Sequence, residues 1–207
     1  MWKVTDVPSL KDKIILITGG NSGIGLEAAK VFAEKEATVV IASSNKDKSE
    51  QAVKSIRNET NNQNIESYVL NLGSKASIKR FAEDIKKVYD RIDILVNNSG
   101  VMYKPYERTE DGFESQMGIN HLGHFYLTSL LMPLIKKSEQ GRIVNIASVA
   151  HKFANASLKD FFFDDKKTFS PSKGYNRSKL TNLLFTLALN HKLKESNQSI
   201  EVFAAHP

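Results

Sequence analysis

Short, nearly unbroken apolar runs alternate along the chain with longer segments whose apolar residues recur at helical spacing. The runs at residues 13–18 (KIILIT), 38–42 (TVVIA), 65–70 (IESYVL), 92–97 (IDILVN), 142–147 (RIVNIA) and 200–204 (IEVFA) predict strands. Four of them are almost wholly β-branched or leucine, the pattern of parallel strands covered on both faces. Amphipathic stretches at residues 25–36, 46–58, 75–89, 110–137 and 175–195 predict the helices between them. Strand, helix, strand repetition with right-handed crossovers builds a doubly wound α/β sheet of three layers. Ligands of such sheets bind at the carboxyl ends of the strands, where the strand order reverses. With 207 residues and no repeat or low-complexity linker, the whole chain reads as one domain.

Composition narrows the setting without changing the fold. A hydrophobic fraction of 41% with 25% charged residues is ordinary for a soluble globular chain. The absence of cysteine excludes disulfides and thiolate metal sites and suits a reducing compartment. Residues 1–10 lack the apolar run of a signal peptide, and no window approaches the ~18 uninterrupted apolar residues of a membrane span. The expectation is a soluble, cytoplasmic protein without an integral span, with peripheral attachment to a membrane left open. The net charge of +6 comes from lysines scattered through stretches such as 46–54 and 192–194. That distribution describes solvated helix surfaces better than a nucleic-acid site.

The residues that carry chemistry fall at predicted strand ends. Thr18-Gly19-Gly20-Asn21-Ser22-Gly23-Ile24-Gly25 follows the first strand and opens the first helix. In that spacing Gly19 permits a tight turn, Gly23 lets backbone approach a pyrophosphate, and Gly25 allows close packing of the helix on the sheet. The helix start adds unpaired N–H groups and the positive end of a dipole. At the second strand's end, Ser43, Ser44 and Lys46 stand where an acid would select NAD. Their hydroxyls and ammonium favour the extra phosphate of NADP; NAD stays open, and serines there also serve as turn formers. Tyr175 and Lys179, four apart, project from one helix face ~6 Å apart along the axis. A fixed cation beside a phenol that ordinarily titrates near pH ~10 favours its ionised form. Ser148 lies upstream in RIVNIASVAH. His121 and His124 lie three apart but lack a third metal ligand at suitable spacing, so helix packing and surface roles are expected. The run Phe161-Phe162-Phe163 is read as core packing, with a lipophilic substrate entrance as the alternative.

Together these phrases resemble the short-chain dehydrogenase/reductase family. TGGNSGIG resembles its T-G-x-x-x-G-I-G, NNSG at 97–100 its N-N-A-G, and YNRSK its Y-x-x-x-K, while DGFESQMGINHLGHFYLT and RIVNIASVAH are similar to the retinol dehydrogenase and WW-domain oxidoreductase branch. The likeness runs from about residue 13 to 207. It implies a Rossmann-like domain that moves a hydride between NADP, or NAD, and a lipophilic alcohol or carbonyl of the retinoid, steroid or long-chain aldehyde class. Tyr175 is then the acid or base, Lys179 its electrostatic partner and ribose ligand, Ser148 the donor to the substrate oxygen, and Asn120 the holder of a proton-relay water. The resemblance also places Asn71 and Leu72 near the adenine, and Asn97, Asn98 and Gly100 beside the adenosine and the central sheet. Ser99 replaces the family's alanine. Pro207 matches the proline opening a P-G-x-x-x-T cofactor motif, so the chain is expected to be incomplete at its carboxyl end, with the last strand of the family sheet missing. Dimerisation through the helix of Tyr175 and its neighbour is a further implication. The competing reading is a nucleotide-binding or protein-interaction fragment without catalysis.

Overall fold

The computed structural model describes residues 3–155 and 159–207. Six parallel strands, β1 (Ile14–Thr18), β2 (Thr38–Ser43), β3 (Ile65–Val69), β4 (Ile94–Asn97), β5 (Arg142–Ile146) and β6 (Glu201–Ala205), form one sheet in the order β3-β2-β1-β4-β5-β6. The order reverses between β1 and β4, which pair in parallel with Ile15 opposite Ile94. The helices are α1 (Gly23–Glu34), α2 (Lys46–Thr60), α3 (Lys75–Val88), α4 (Ser115–Met117), α5 (Gly123–Ile135) and α6 (Pro171–Glu195).

Alternation along each strand sends side chains into two separate apolar layers. Ile15, Ile17, Val39 and Ile41 pack beneath Ala29 and Ala33 of α1 and Val53 and Ile56 of α2. Leu16, Val40, Leu95 and Ile143 pack on the other face against Ile78, Phe81 and Ile85 of α3 and Leu127 and Leu131 of α5. Both faces being covered is why these strands read as continuous apolar runs in the sequence. It also leaves only the strand ends free to present polar chemistry.

Element boundaries shift by one or two residues at several ends, and three departures have a clear local cause. The predicted strand over 92–97 begins at Ile94, because buried Asp93 turns its carboxylate back to accept from the Ile14 N–H at 2.9 Å. The helix expected from Tyr175 begins at Pro171, capped by the Ser170 side chain, which accepts from the Lys173 N–H. Most of the difference lies in 110–137. Gly112 at φ +85° closes a turn that bridges Arg108 to Glu114. The buried Glu114 carboxylate then caps α4 by accepting from the Gln116 and Met117 N–H groups. From there a π-helical segment, Gly118–Leu122, carries the chain into α5, with the Gly123 N–H bonded to the Gly118 carbonyl five residues back.

Candidate active site

The glycine turn is built by two residues with positive φ, Gly19 at +68° and Gly23 at +52°. A Cβ on Gly25 would sit 2.4 Å from the Gly19 carbonyl oxygen and 2.4 Å from the Asn98 Nδ2. Gly25 therefore packs α1 against the turn and the end of β4, not against the body of the sheet as its spacing suggested. Around Gly23 a Cβ would meet nothing within 4 Å. Ser22, the N-cap of α1, makes no side-chain capping bond, whereas Asn45, Ser74 and Ser170 each cap their own helix. The first turn of α1 thus offers backbone N–H groups and the helix's positive end at an exposed surface. Asn21 and Ile24 flank this surface, with Ile24 exposed. A dinucleotide's pyrophosphate fits these features: an uncapped helix start, glycines at positive φ and open space above Gly23.

Thr18 stands behind this turn rather than in it. Its side chain is wholly buried, and its Oγ1 accepts from the Asn98 and Ser99 N–H groups, both at 2.9 Å. Asn98 in turn donates its side-chain amide to the Thr18 carbonyl at 2.8 Å. The Thr18 Oγ1 also lies 2.8 Å from the Nε2 of buried His124.

The candidate catalytic residues converge from three elements. Ser148 follows β5, and its hydroxyl accepts from the Ala150 N–H in the 3-10 turn Val149–Phe153. Tyr175 lies in the second turn of α6, its ring edge-on to Tyr103 at 5.4 Å. Lys179, one turn further, places its Nζ 5.6 Å from the Tyr175 ring centroid and donates to the Ile146 carbonyl at 2.9 Å. Burial pushes the Lys179 ammonium down to about 8. Asn120 lies within the π-helical segment with none of its surface exposed. Its Oδ1 accepts from the Val101 N–H, and its Nδ2 donates to the Val101 carbonyl and to the Ser178 hydroxyl. The Asn120 amide is therefore occupied by protein partners, which makes it a brace between the segment after β4 and α6. Gly100 belongs to the same contact: a Cβ there would lie 3.2 Å from the Asn120 Oδ1 and 3.8 Å from the Lys179 Nζ.

Other expected site residues are placed elsewhere. Ser43 is buried with its hydroxyl 2.9 Å from that of Ser49, while Ser44 and Lys46 are exposed beside it. The Asn71 amide caps its own loop, accepting from the Gly73 N–H and donating to Glu110. Leu72 is buried, its carbonyl set against Gly123, where a Cβ would approach to 2.3 Å. Asn97 turns inward, donating to Thr128 and Asn145 beneath the sheet. Pro207 lies exposed beyond β6. Both ring pairs of the histidine doublet are engaged, His121 with Asn182 and His124 with Thr18 and the Asn120 carbonyl. Phe163 is buried as the sequence reading had it, and Phe162 is exposed.

The sequence reading passed over Ser178, Arg177 and Tyr103. Arg177 and Ser178 sit inside YNRSK, where motif spacing draws the eye to the two ends. Ser178 donates to the Tyr175 carbonyl, and the buried Arg177 stacks on Phe163 at 4.1 Å while donating to the carbonyls of Asp160 and Phe161. Arginine in a motif otherwise facing the sheet was the available signal.

A glycine turn at the sheet's reversal point, with tyrosine and lysine one helical turn apart beside it, defines a dinucleotide-binding domain of the dehydrogenase kind. The family profile described as short chain dehydrogenase matches residues 13–160, and the chain belongs to that family. Retinol dehydrogenase 13 of Mus musculus is 41% identical over 199 residues, covering 96% of this chain and 59% of its own length. The chain thus spans about 59% of that curated relative. A protein from Mycobacterium paratuberculosis superposes with a TM-score of 0.89 at 38% identity, over 100% of this chain and 72% of its own. A short chain dehydrogenase from Escherichia coli CFT073 in complex with NADPH gives 0.78 at 26% identity, covering 96% of this chain and 78% of its own.

Proposed function

We propose that this chain carries the cofactor-binding and proton-transfer parts of an NADP-dependent oxidoreductase acting on a lipophilic alcohol or carbonyl. The observation that carries the reading is the pair Tyr175 and Lys179, one turn apart on α6 with the Lys179 Nζ 5.6 Å from the Tyr175 ring, in a chain whose first helix starts uncapped after a glycine turn. The bound nicotinamide supplies the hydride acceptor or donor. Every other requirement falls to the chain. The first turn of α1 and Gly23 hold the phosphates, and the exposed Ser44 and Lys46 favour a 2′-phosphate. The NADPH complex of the Escherichia coli protein supports the same choice, and the retinol dehydrogenase relatives support an alcohol substrate.

In this reading Ser148 donates to the substrate oxygen while Tyr175 gives or takes a proton at that atom. Lys179, pinned by the Ile146 carbonyl, keeps a positive charge beside the phenol as the proton moves. Asn120 holds the segment after β4 at a fixed distance from α6, so the cofactor's resting place and the tyrosine keep one geometry. Met102, Tyr103, Val149 and Phe153 are exposed apolar side chains on the two segments that carry Tyr103, which packs on Tyr175, and Ser148, and they support an apolar substrate. Pairing of two copies across α5 and α6 completes the proposal. The test is Tyr175→Phe, expected to abolish NADPH-dependent reduction of a long-chain aldehyde panel while NADPH binding stays within about threefold. Undiminished turnover in that variant overturns the assignment, and NADPH binding without turnover in the parent chain supports the non-catalytic reading instead.

A further inference from the structure

His124 is the second residue of α5 and is 2% exposed. Two contacts define it. Its Nδ1 lies 3.0 Å from the Asn120 carbonyl oxygen inside the π-helical segment, and its Nε2 lies 2.8 Å from the Thr18 Oγ1. A carbonyl only accepts, so the proton must reside on Nδ1. In a neutral ring Nε2 is then an acceptor, and the Thr18 hydroxyl donates to it. With its one proton directed at His124, the Thr18 oxygen keeps both lone pairs for the Asn98 and Ser99 N–H groups. The alternative direction, toward the Val96 carbonyl, is a longer contact of 3.4 Å.

We propose that His124 is a positioning residue whose fixed tautomer orients the Thr18 hydroxyl and so locks the cofactor-bearing turn to the helix break at Asn120. The chain of contacts is continuous. It runs from the Asn98 and Ser99 amides through Thr18, His124 and the Asn120 backbone, then through the Asn120 side chain to Ser178 and the Tyr175 carbonyl. One imidazole thereby ties the glycine turn on one side of the reversal point to the proton-transfer helix on the other. A phenylalanine of similar volume fills the space but leaves the Thr18 proton only the 3.4 Å contact to the Val96 carbonyl and takes the imidazole donor from the Asn120 carbonyl. The inference rests on the oxidoreductase reading only for its consequence in catalysis; the bridge itself is a statement about the free chain.

The experiment separates the two. Nitrogen-15 NMR of the imidazole in the cofactor-free chain is expected to report protonated Nδ1 and bare Nε2 at His124. Hydrogen exchange at the Asn98 and Ser99 amides is compared among the parent, His124→Gln, His124→Asn and His124→Phe. Glutamine places an acceptor where Nε2 was, and asparagine places a donor where Nδ1 was. Protection is therefore expected to persist in His124→Gln and to fall about tenfold in His124→Asn and His124→Phe, as for one lost buried hydrogen bond. NADPH affinity, read by fluorescence, follows the same ranking, with a Kd raised about tenfold in the asparagine and phenylalanine variants. A protonated Nε2 in the parent, or unchanged amide protection in His124→Phe, overturns the bridge. The expected exchange pattern with no NADPH binding in the parent upholds the bridge and instead removes the oxidoreductase reading.

Discussion

At the scale of single residues, the site holds charge where the fold would be steadier without it. Lys179 is 4% exposed, and burial lowers its ammonium from 10.5 to about 8. Below pH 8 the native state therefore carries a desolvation cost of up to about 3 kcal/mol, relieved as pH rises from 8 toward 10.5 because the unfolded chain then binds more protons. Lys179→Met removes that cost, and the Ile146 carbonyl keeps the Asn182 amide as donor at 3.2 Å. The variant is expected to unfold at a temperature a few degrees higher at pH 7 while losing turnover, checked by calorimetry beside an assay. His121 and His124 act in the acid range. Burial lowers both to about 4, so they stay neutral in the native state while the unfolded chain takes up protons below its usual value of 6.5. Stability is expected to fall steadily as pH drops from 6.5 to 4, measured by urea unfolding at successive pH values, with a shallower fall in His124→Gln. A flat profile across that window contradicts the burial of both rings.

Among the elements, α1 differs from its neighbours in how it begins. Ser74 and Ser170 accept from N–H groups of their own helices, and Ser22 does not. Ser170→Ala should therefore lower unfolding free energy by about 1 kcal/mol, whereas Ser22→Ala should leave it within a few tenths and weaken NADPH binding instead. Denaturant titration of the two variants makes the comparison. The same contrast explains what could be read before the structure. Strands such as Ile14–Thr18 were legible because burial on both faces leaves no polar alternation, and α2 and α3 because their apolar stripes are regular. The segment 110–137 was overread as one helix: Asp111-Gly112 forms a turn, Glu114 is a buried cap, and the π-helical register at Asn120 leaves no periodicity that differs from an α-helix. Among the candidate site residues, spacing anticipated that Tyr175 and Lys179 share one helix and that the glycines form the turn before α1. It could not tell which hydroxyls and amides face inward, because Thr18 and Asn97 owe their orientation to partners far off in sequence, and Ser43 turns toward Ser49 of the helix that follows.

Across the whole molecule, the strand reversal between β1 and β4 gathers every one of these parts to one end of the sheet. An apolar groove lies elsewhere on the surface. Phe125, Met132, Phe185 and Leu189 line a groove of about 400 Å³ between α5 and α6, with Phe125 half exposed. The proposed pairing of two copies there predicts that Phe185→Glu converts a dimer to a monomer in sedimentation at micromolar concentration, while Asp84→Asn on α3 leaves it paired. A parent chain that sediments as a monomer removes the pairing from the proposal. Among the described residues no helix is long and apolar enough to cross a membrane.

The Arg177 contacts give the loop over 159–169 a mechanical standing that its irregular shape conceals. One guanidinium clasps the carbonyls of Asp160 and Phe161 and the rings of Phe161 and Phe163, while the Tyr106 hydroxyl and Arg108 hold the carbonyls of Phe163 and Asp164 from the facing segment. The loop is thus bolted to α6 two residues from Tyr175, and it travels with that helix as a single lever. Its exposed tip, such as Phe162, can vary without touching those anchors, whereas lengthening the loop between them would shift the helix that carries Tyr175 and Lys179, to which the proposed function assigns proton transfer.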